Sequence, residues 1–281
     1  MPITLTRHII EEQAGEPATT GEFAAIMAQF ALAAKLIARD MSHAGLIDVL
    51  GVTGDVNVQG EAVQKLDQKA NESFIRAFEY SGSVRTLISE EMEKPLHVGG
   101  QLPTGMRHGN YALFFDPLDG SSNVDVNGVV GSIFSVHRVS DGSGPVPDSD
   151  LLKIGAEQVA AGYALYGPST VLVYTRGTGV HQFTLDPGIG EFVLSSDCLK
   201  MPARGKVYSA NEGNCRKWSP QLQRFIAYLQ ERDPPSRRPY SSRYSGCLVA
   251  DVHRLLTTGG IYLYPSEEGK MEGKLRLMYE A

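Results

Sequence analysis

Phe-Phe-Asp-Pro-Leu-Asp-Gly-Ser-Ser-Asn, residues 114–123, ends an apolar run in two carboxylates three residues apart and follows them with a glycine-serine turn. Asp116 and Asp119 can offer hard oxygen ligands to Mg2+ or Mn2+. The backbone N–H groups of Gly120, Ser121 and Ser122 can receive a phosphate, as successive amides of a turn do. The same ten residues also read as a plain strand ending in an Asp-Gly turn. The flanking segments have to decide between the two readings.

On the N-terminal side, Val84–Ser89 and Tyr111–Phe115 read as short strands, and just past the stretch, Val129–Val139 reads as a further strand interrupted by Gly131. Two amphipathic helices precede them. Thr19-x-x-Glu22 forms a capping box ahead of Phe23, Ile26, Met27, Phe30, Ala34, Ile37 and Met41 at helical spacing, and Gly45 stops the run. The spacing of Val63, Leu66, Ala70, Phe74 and Phe78 predicts a second helix from about Glu61 to Tyr80. On the C-terminal side the strands Val159–Tyr166, Thr170–Tyr174, Val180–Leu185 and Glu191–Leu194 crowd together between Gly and Pro signals. The stretch Ser195–Gly205 reads as a boundary, which divides the chain into domains 1–197 and 198–281. Beyond it come a strand at Lys206–Ser209, a helix opened by Ser219-Pro220, and a helix at about Cys247–Thr257. Strands Gly260–Tyr264 and Lys274–Glu280 follow. Such blocks predict a layered α/β or α+β fold with helices packed on mixed sheets.

A chain of 281 residues can bury a substantial core, and 42% hydrophobic with 21% charged residues suggests neither disorder nor a membrane protein. A net charge of −6 argues against a sequence-independent grip on nucleic acid, which needs clustered Lys and Arg. No window approaches a membrane span, and Met1–Arg7 lacks the apolar region of a signal peptide, so a cytoplasmic protein with no membrane partner is expected. Cys198, Cys215 and Cys247 are odd in number and lack CxxC spacing, and are read as reduced thiols.

Three expected strands run directly into acids: Val84–Ser89 into Glu90 and Glu91, Tyr111–Phe115 into Asp116, and Leu275–Tyr279 into Glu280. If these ends share one sheet edge, Glu90, Asp116, Asp119 and Glu280 converge, and like charges so close need a cation between them. Solvated strand ends are the plain alternative. Alternation along the last strand puts Lys274, Arg276, Met278 and Glu280 on one face, with Arg276 placed to stabilise a phosphoryl group or to form a surface ion pair. Asn211-Glu212-Gly213 and Ser242-Arg243-Tyr244 read as phosphate grips or as surface loops. His43, His108, His137, His181 and His253 show no metal spacing and are read as structural or surface residues.

Lys65-Leu66-Asp67, Ser89-Glu90-Glu91, Phe115–Asn123, Ala161–Gly167 and Asp186–Phe192 follow one another along the chain, and Val249–Arg254 and Gly273–Leu277 continue the order. In that order the chain resembles the class I fructose-1,6-bisphosphatases, within the lithium-sensitive, Mg2+-dependent phosphatases that include the inositol monophosphatases. The resemblance implies a five-layer α-β-α-β-α sandwich with a C-terminal segment continuing past Glu280. It implies a metal-binding and regulatory domain over 1–197 and a sugar-phosphate-binding domain over 198–281. Two or three Mg2+ ions are implied, with Mn2+ or Zn2+ as substitutes, on Glu90, Asp116, the Leu118 carbonyl, Asp119 and Glu280. Asp67, with Glu61 and Glu91, is implied to orient or deprotonate the attacking water, although the family places an Asp where Glu61 stands. Gly120, Ser121, Ser122 and Arg276, beside Asp119, are implied to hold the 1-phosphate. Asn211, Arg243, Tyr244 and Tyr264 are implied to grip the 6-phosphate, with Lys274 near the sugar and Arg243 reaching across from a neighbouring subunit of a homotetramer.

The implied reaction converts fructose 1,6-bisphosphate to fructose 6-phosphate and phosphate in gluconeogenesis or carbon fixation. A sedoheptulose-1,7-bisphosphatase or dual-substrate enzyme would use the same groups, and a non-catalytic relative would keep the fold. Thr20, Gly21, Glu22, Tyr111 and Arg138 match the family's AMP site, but Asn110 stands where AMP-sensitive members carry Lys, so weak or absent AMP inhibition is expected.

Overall fold

The computed structural model describes residues 2–14, 21–56, 62–98, 109–142, 144–269 and 275–280. Among these, two short antiparallel strands, β1 (Val52–Val56) and β2 (Ala62–Gln64), stand apart from a large sheet. The large sheet contains β3 (Thr86–Ser89), β4 (Leu96–His97), β5 (Tyr111–Asp119), β6 (Val130–Arg138), β7 (Gln158–Tyr166), β8 (Thr170–Thr175), β9 (Val180–Asp186) and β10 (Glu191–Ser196). Its order is β10-β9-β8-β7-β6-β5-β3-β4, with β3 parallel to β5 and every other pairing antiparallel. Leu113 and Phe115 of β5 enter one hydrophobic cluster while Ala112 and Phe114 enter another, so both faces of the strand are covered. A strand buried on both sides reads as a continuous apolar run, which is why the opening segment shows no polar alternation.

Helices α1 (Leu5–Gln13), α2 (Glu22–Ser42) and α3 (Lys65–Phe78) cover one face of the sheet. Phe30 of α2 meets Phe74 of α3 at 5.3 Å and Phe134 of β6 at 4.2 Å between ring centroids, and Phe74 meets Phe115 at 4.9 Å. On the other face lie α4 (Asp148–Leu151), whose Leu151 joins Ile88 and Phe114, and α6 (Leu248–Thr258). Val249 and Ala250 at the start of α6, with Cys247 before them, pack on Ile133, Tyr163 and Leu165. The opposite side of α6 meets a smaller parallel sheet, β12 (Ser241–Ser242), β11 (Val207–Ser209) and β13 (Gly260–Tyr262), in that order. Ile226 and Leu229 of α5 (Pro220–Gln230) close over Tyr208 of β11. Helices, sheet, helix, sheet and helix therefore stack as five layers, the expected α-β-α-β-α class. The three cysteines are free thiols, and no helix among the described residues is long and apolar enough to cross a membrane.

Several local expectations are corrected. The Thr19 capping box is not what opens α2: its N-cap is Gly21 at φ 75°, which makes Glu22 the first helical residue, beside the unpaired N–H groups of the first turn. Thr19 itself lies outside the described residues. Helix α3 starts at Lys65 because the preceding residues pair as β2, and its capping box joins Gln64 to Asp67. Strand β6 is continuous through Gly131, where a Cβ would lie 2.6 Å from Val249, so the glycine admits α6 instead of breaking the strand. The expected strand at Lys274–Glu280 is a turn over 277–280, in which the Arg276 carbonyl accepts hydrogen bonds from the amides of Tyr279 and Glu280. Met278 and Tyr279 pack onto the Ile88–Phe114 cluster and do not extend the sheet. Helix α1 was not expected; Thr4 caps it through Arg7 N–H, and Leu5 and Ile9 bury its inner side.

The ring cluster that fastens α2 and α3 to the sheet predicts that Phe74→Ala lowers stability by about 3–5 kcal/mol. Urea unfolding measures this, and a loss below ~1 kcal/mol would show that the rings are not what holds α3.

Candidate active site

Because β3 and β5 are parallel, the residues that follow them emerge side by side, and Glu90 N–H donates to the Phe115 carbonyl at 3.1 Å. Plain alternation would send Asp116 and Asp119 to opposite faces. The strand bulges between them, so that Asp116 faces Ile133 and Asp119 faces Gly131, and the extra residue re-aims the second carboxylate. Leu118 N–H donates to Asp116 Oδ1 at 2.9 Å and Ser132 Oγ donates to the Pro117 carbonyl at 2.7 Å, fixing the bulge from both sides. Carboxylate oxygens of Asp116, Asp119 and Glu280 lie within 4.8 Å of one another.

Helix α6 supplies the second restraint. Its Val249 N–H donates to Asp119 Oδ2 at 2.7 Å and Cys247 Sγ donates to the same oxygen at 3.0 Å, placing a carboxylate at a helix N-terminus. Gly120 makes this possible, since its φ is 76° and a Cβ there would lie 2.6 Å from Cys247 Cβ. The third restraint is the turn that carries Glu280. Arg276 Nη1 lies 3.0 Å from both Glu90 Oε1 and Glu280 Oε1, and Arg276 N–H donates to Glu280 Oε2 at 2.8 Å. Arg276 and Glu280 are thus brought together by a helical-type turn, not by the strand alternation expected from their spacing.

Of the four carboxylates Glu90, Asp116, Asp119 and Glu280, Glu90 and Glu280 pair with the Arg276 guanidinium, and Glu280 also lies in the group with Asp116 and Asp119. Burial pushes the Glu90 carboxyl up to about 7, with Arg276 opposing the rise and Glu280 and Glu91 adding to it. Burial raises Asp116 well above its ordinary value, and the Glu90 and Asp119 charges reinforce it. Asp119 and Glu280 are also raised by burial. Asp67, in the first turn of α3, hydrogen-bonds Ser121, and burial followed by repulsion from Glu91 and Glu90 lifts its carboxyl to about 7. Hard oxygen donors in this number, packed at this distance and short of positive charge, fit a divalent cation.

A second group lies beside the first across α6. Tyr244 hydrogen-bonds Asn211 and feels the Asp251 and Asp119 carboxylates, and Tyr264 stands 5.8 Å from the Tyr262 ring. Arg243 is exposed, with its amide bonded to the Tyr208 carbonyl and its guanidinium to the Ser242 carbonyl. Asn123 Nδ2 donates to the Ser245 carbonyl and ties this loop to the turn after β5. Ser122 is exposed in the turn Ser121–Val126, and Leu118 sits buried in the bulge. Glu91 acts on Asp67 through its charge. Of the residues matched to an AMP site, Gly21 and Glu22 open α2, while Tyr111 and Arg138 pair directly across β5 and β6. Glu61, Lys274 and Thr20 lie outside the described residues. Cys247 and the Val249 amide were not foreseen as site residues, because their partner Asp119 is 128 and 130 residues away; the signal available was a helix start at Cys247 ahead of an apolar run.

Residues 3–197 match the family described as Fructose-1-6-bisphosphatase, N-terminal domain, and residues 201–281 match Fructose-1-6-bisphosphatase, C-terminal domain. The class 1 fructose-1,6-bisphosphatase of Chloroherpeton thalassium is 52% identical over 280 residues, which cover 99% of this chain and 79% of the relative. That of a Synechococcus strain is also 52% identical, with 82% of the relative covered. The crystal structure of Leishmania major fructose-1,6-bisphosphatase in its holo form superposes with a TM-score of 0.90 at 40% identity, over 100% of this chain and 84% of that one. The chain belongs to the fructose-1,6-bisphosphatase family.

Proposed function

We propose that the protein hydrolyses the 1-phosphate of D-fructose 1,6-bisphosphate, with a divalent cation, to give fructose 6-phosphate and phosphate. The observation that carries this reading is the buried convergence of Asp116, Asp119 and Glu280 beside Arg276, next to the amides that follow Asp119. Two or three Mg2+ ions, with Mn2+ or Zn2+ as substitutes, would be held by Glu90, Asp116, Asp119 and Glu280, with the Leu118 carbonyl as a further donor. When bound, the metal supplies Lewis-acid charge to the phosphoryl oxygens and lowers the pKa of a water.

The chain's own groups do the rest. The amides of Gly120, Ser121 and Ser122 bind the phosphate that leaves, and the Arg276 guanidinium stabilises the charge that develops on it. Asp67, poised near neutrality and oriented by Ser121 and the Gln64 amide, takes the proton of the attacking water. Glu91 keeps that carboxyl basic through repulsion, and Glu61 joins them in orienting the water. Asn211, Tyr244, Tyr264 and Arg243 orient the sugar by its 6-phosphate, with Lys274 near the ring. We place the protein as a cytoplasmic homotetramer in which Arg243 reaches a neighbouring subunit's site. Residues 1–197 then carry metal binding and regulation, and residues 198–281 carry sugar-phosphate binding.

Asp67→Asn is expected to lower kcat by about 10²–10⁴-fold with KM changed only a few-fold. Phosphate release from fructose 1,6-bisphosphate with Mg2+ measures it, and full activity in this variant would remove Asp67 from the proton path. Running wild type on sedoheptulose 1,7-bisphosphate fixes the substrate, and faster turnover there would overturn the choice of fructose.

Metal-free protein should lose stability as pH rises. A carboxyl whose pKa is higher folded than unfolded makes the folded state the better proton binder, so Glu90 contributes stability below about 4.5 that is lost as pH climbs through about 7. Melting temperatures taken in EDTA should fall across that window, and Mg2+ should restore them above it. A flat or rising profile would contradict the buried like-charge cluster.

AMP inhibition should be weak or absent. Asn110 donates to Asp141 Oδ1 at 2.8 Å and carries no charge for a nucleotide phosphate. Strong inhibition by low micromolar AMP would refute this.

A further inference from the structure

Helix α1 runs for nine residues, too short to be stable alone in water, so what fastens it to the sheet matters. Residues four apart share a helix face, and on this face α1 presents His8 and Glu12 to His181 of β9. His8 and His181 are each only 8% exposed. Their ring centroids are 4.5 Å apart, and one donor atom from each of His8, Glu12 and His181 lies within 4.8 Å of the others. Glu12 Oε1 stands between the rings, 3.2 Å from His181 Nε2 and 3.8 Å from His8 Nε2.

The surrounding contacts prepare these atoms as ligands. Asp197 Oδ1 lies 2.7 Å from His181 Nδ1, so a proton on Nδ1 leaves the Nε2 lone pair directed at Glu12. Tyr174 O–H donates to Glu12 Oε2 at 2.7 Å and leaves Oε1 available. An ideal Cβ at Gly179 would lie 3.2 Å from His181 Nε2, so the glycine keeps that approach open. His8 Nε2 is buried with no hydrogen-bond partner among the described residues. A protonated His181 lying between Asp197 and Glu12 would account for those two carboxylates. It would leave His8 Nε2 unsatisfied, at a typical cost of about 1–3 kcal/mol. Burial also lowers the pKa of His8.

We propose that His8, Glu12 and His181 form a binding site for one divalent first-row transition ion of the Zn2+ type, with Asp197 and Tyr174 as its outer partners, which pins α1 to β9. Two imidazoles and a carboxylate, with a second carboxylate behind one imidazole, are a donor set that favours Zn2+ or Co2+ over Mg2+. Around a tetrahedral ion with 2.0–2.1 Å bonds the donors stand about 3.4 Å apart, close to the 3.2 Å of the Glu12–His181 pair and the 3.8 Å of the Glu12–His8 pair. The site is separate from the carboxylate cluster. Asp116 registers with Ile133, Tyr163, Val173 and Gln182 on four successive strands, and at ~4.8 Å per strand this places β9 about 19 Å from the cluster.

Co2+ titrated into the protein in a large excess of Mg2+, which favours the oxygen-only cluster, is the test. One equivalent should bind with visible d–d bands of an imidazole-ligated ion, and Zn2+ should bleach them. His8→Ala and His181→Ala should abolish the bands, Glu12→Gln should weaken Co2+ at least tenfold, and Asp197→Asn should weaken it by about 10–100-fold. Asp119→Asn should leave the bands in place. Glu12→Gln retains a partner for Tyr174, and its Mg2+-dependent phosphate release reports an intact fold should the histidine variants fail to fold. Absence of d–d bands in the wild-type protein would overturn the site, as would bands that persist in Glu12→Gln at unchanged affinity or that disappear in Asp119→Asn.

Discussion

Gathering Glu90, Asp116, Asp119 and Glu280 into one largely buried pocket is strongly unfavourable, and much of the architecture serves to impose it. Each acid is delivered by a different device: a parallel strand pairing for Glu90, a bulge for the step from Asp116 to Asp119, and a turn closed on itself for Glu280. The compensating groups come from elsewhere again. Helix α6 lends its N-terminus to Asp119, and Arg276 divides its guanidinium between Glu90 and Glu280. One positive side chain cannot neutralise four acids, and the residual field is what makes a divalent cation part of the working protein.

The position of α6 explains how this field meets the substrate. Its first turn packs on Ile133 and Tyr163 of the large sheet, and its other side rests on the small sheet that carries the loops of Asn211, Tyr244 and Tyr264. The same amide end that restrains Asp119 thus sets the distance between the acidic pocket and the polar groups across from it. On the proposed reading a bisphosphate with one end at the acidic pocket would set its other end against those polar groups, with α6 as the spacer between them.

Much of this was legible in the sequence. The apolar run before Asp116 marked β5, the crowded strands after Val159 marked the long antiparallel half of the sheet, and Phe23 to Met41 marked α2. What periodicity could not supply were contacts between distant segments. The turn at Arg276–Glu280 reads as a strand because Leu275, Leu277 and Tyr279 alternate with longer polar or flexible residues; only packing of Met278 and Tyr279 against Phe114 decides otherwise. Helix α1 is short, and its buried side is set partly by a histidine, so apolar spacing alone did not reveal it. His181 carries no local signal at all, since its neighbours in space, His8 and Glu12, come from the other end of the domain.

The long reach of the pocket's contacts also bears on how the chain folds. Asp119 meets Cys247 across 128 residues, and loops of that length close late, after local helices and adjacent hairpins have formed. Glu90 and Asp116 are brought together by the β3–β5 pairing itself, whereas Asp119 and Glu280 depend on α6 and on the 276–280 turn, which come from the far end of the chain. A cation held by those acids binds only while α6 and the turn are docked, so metal binding and the docking of these two distant segments stabilise one another.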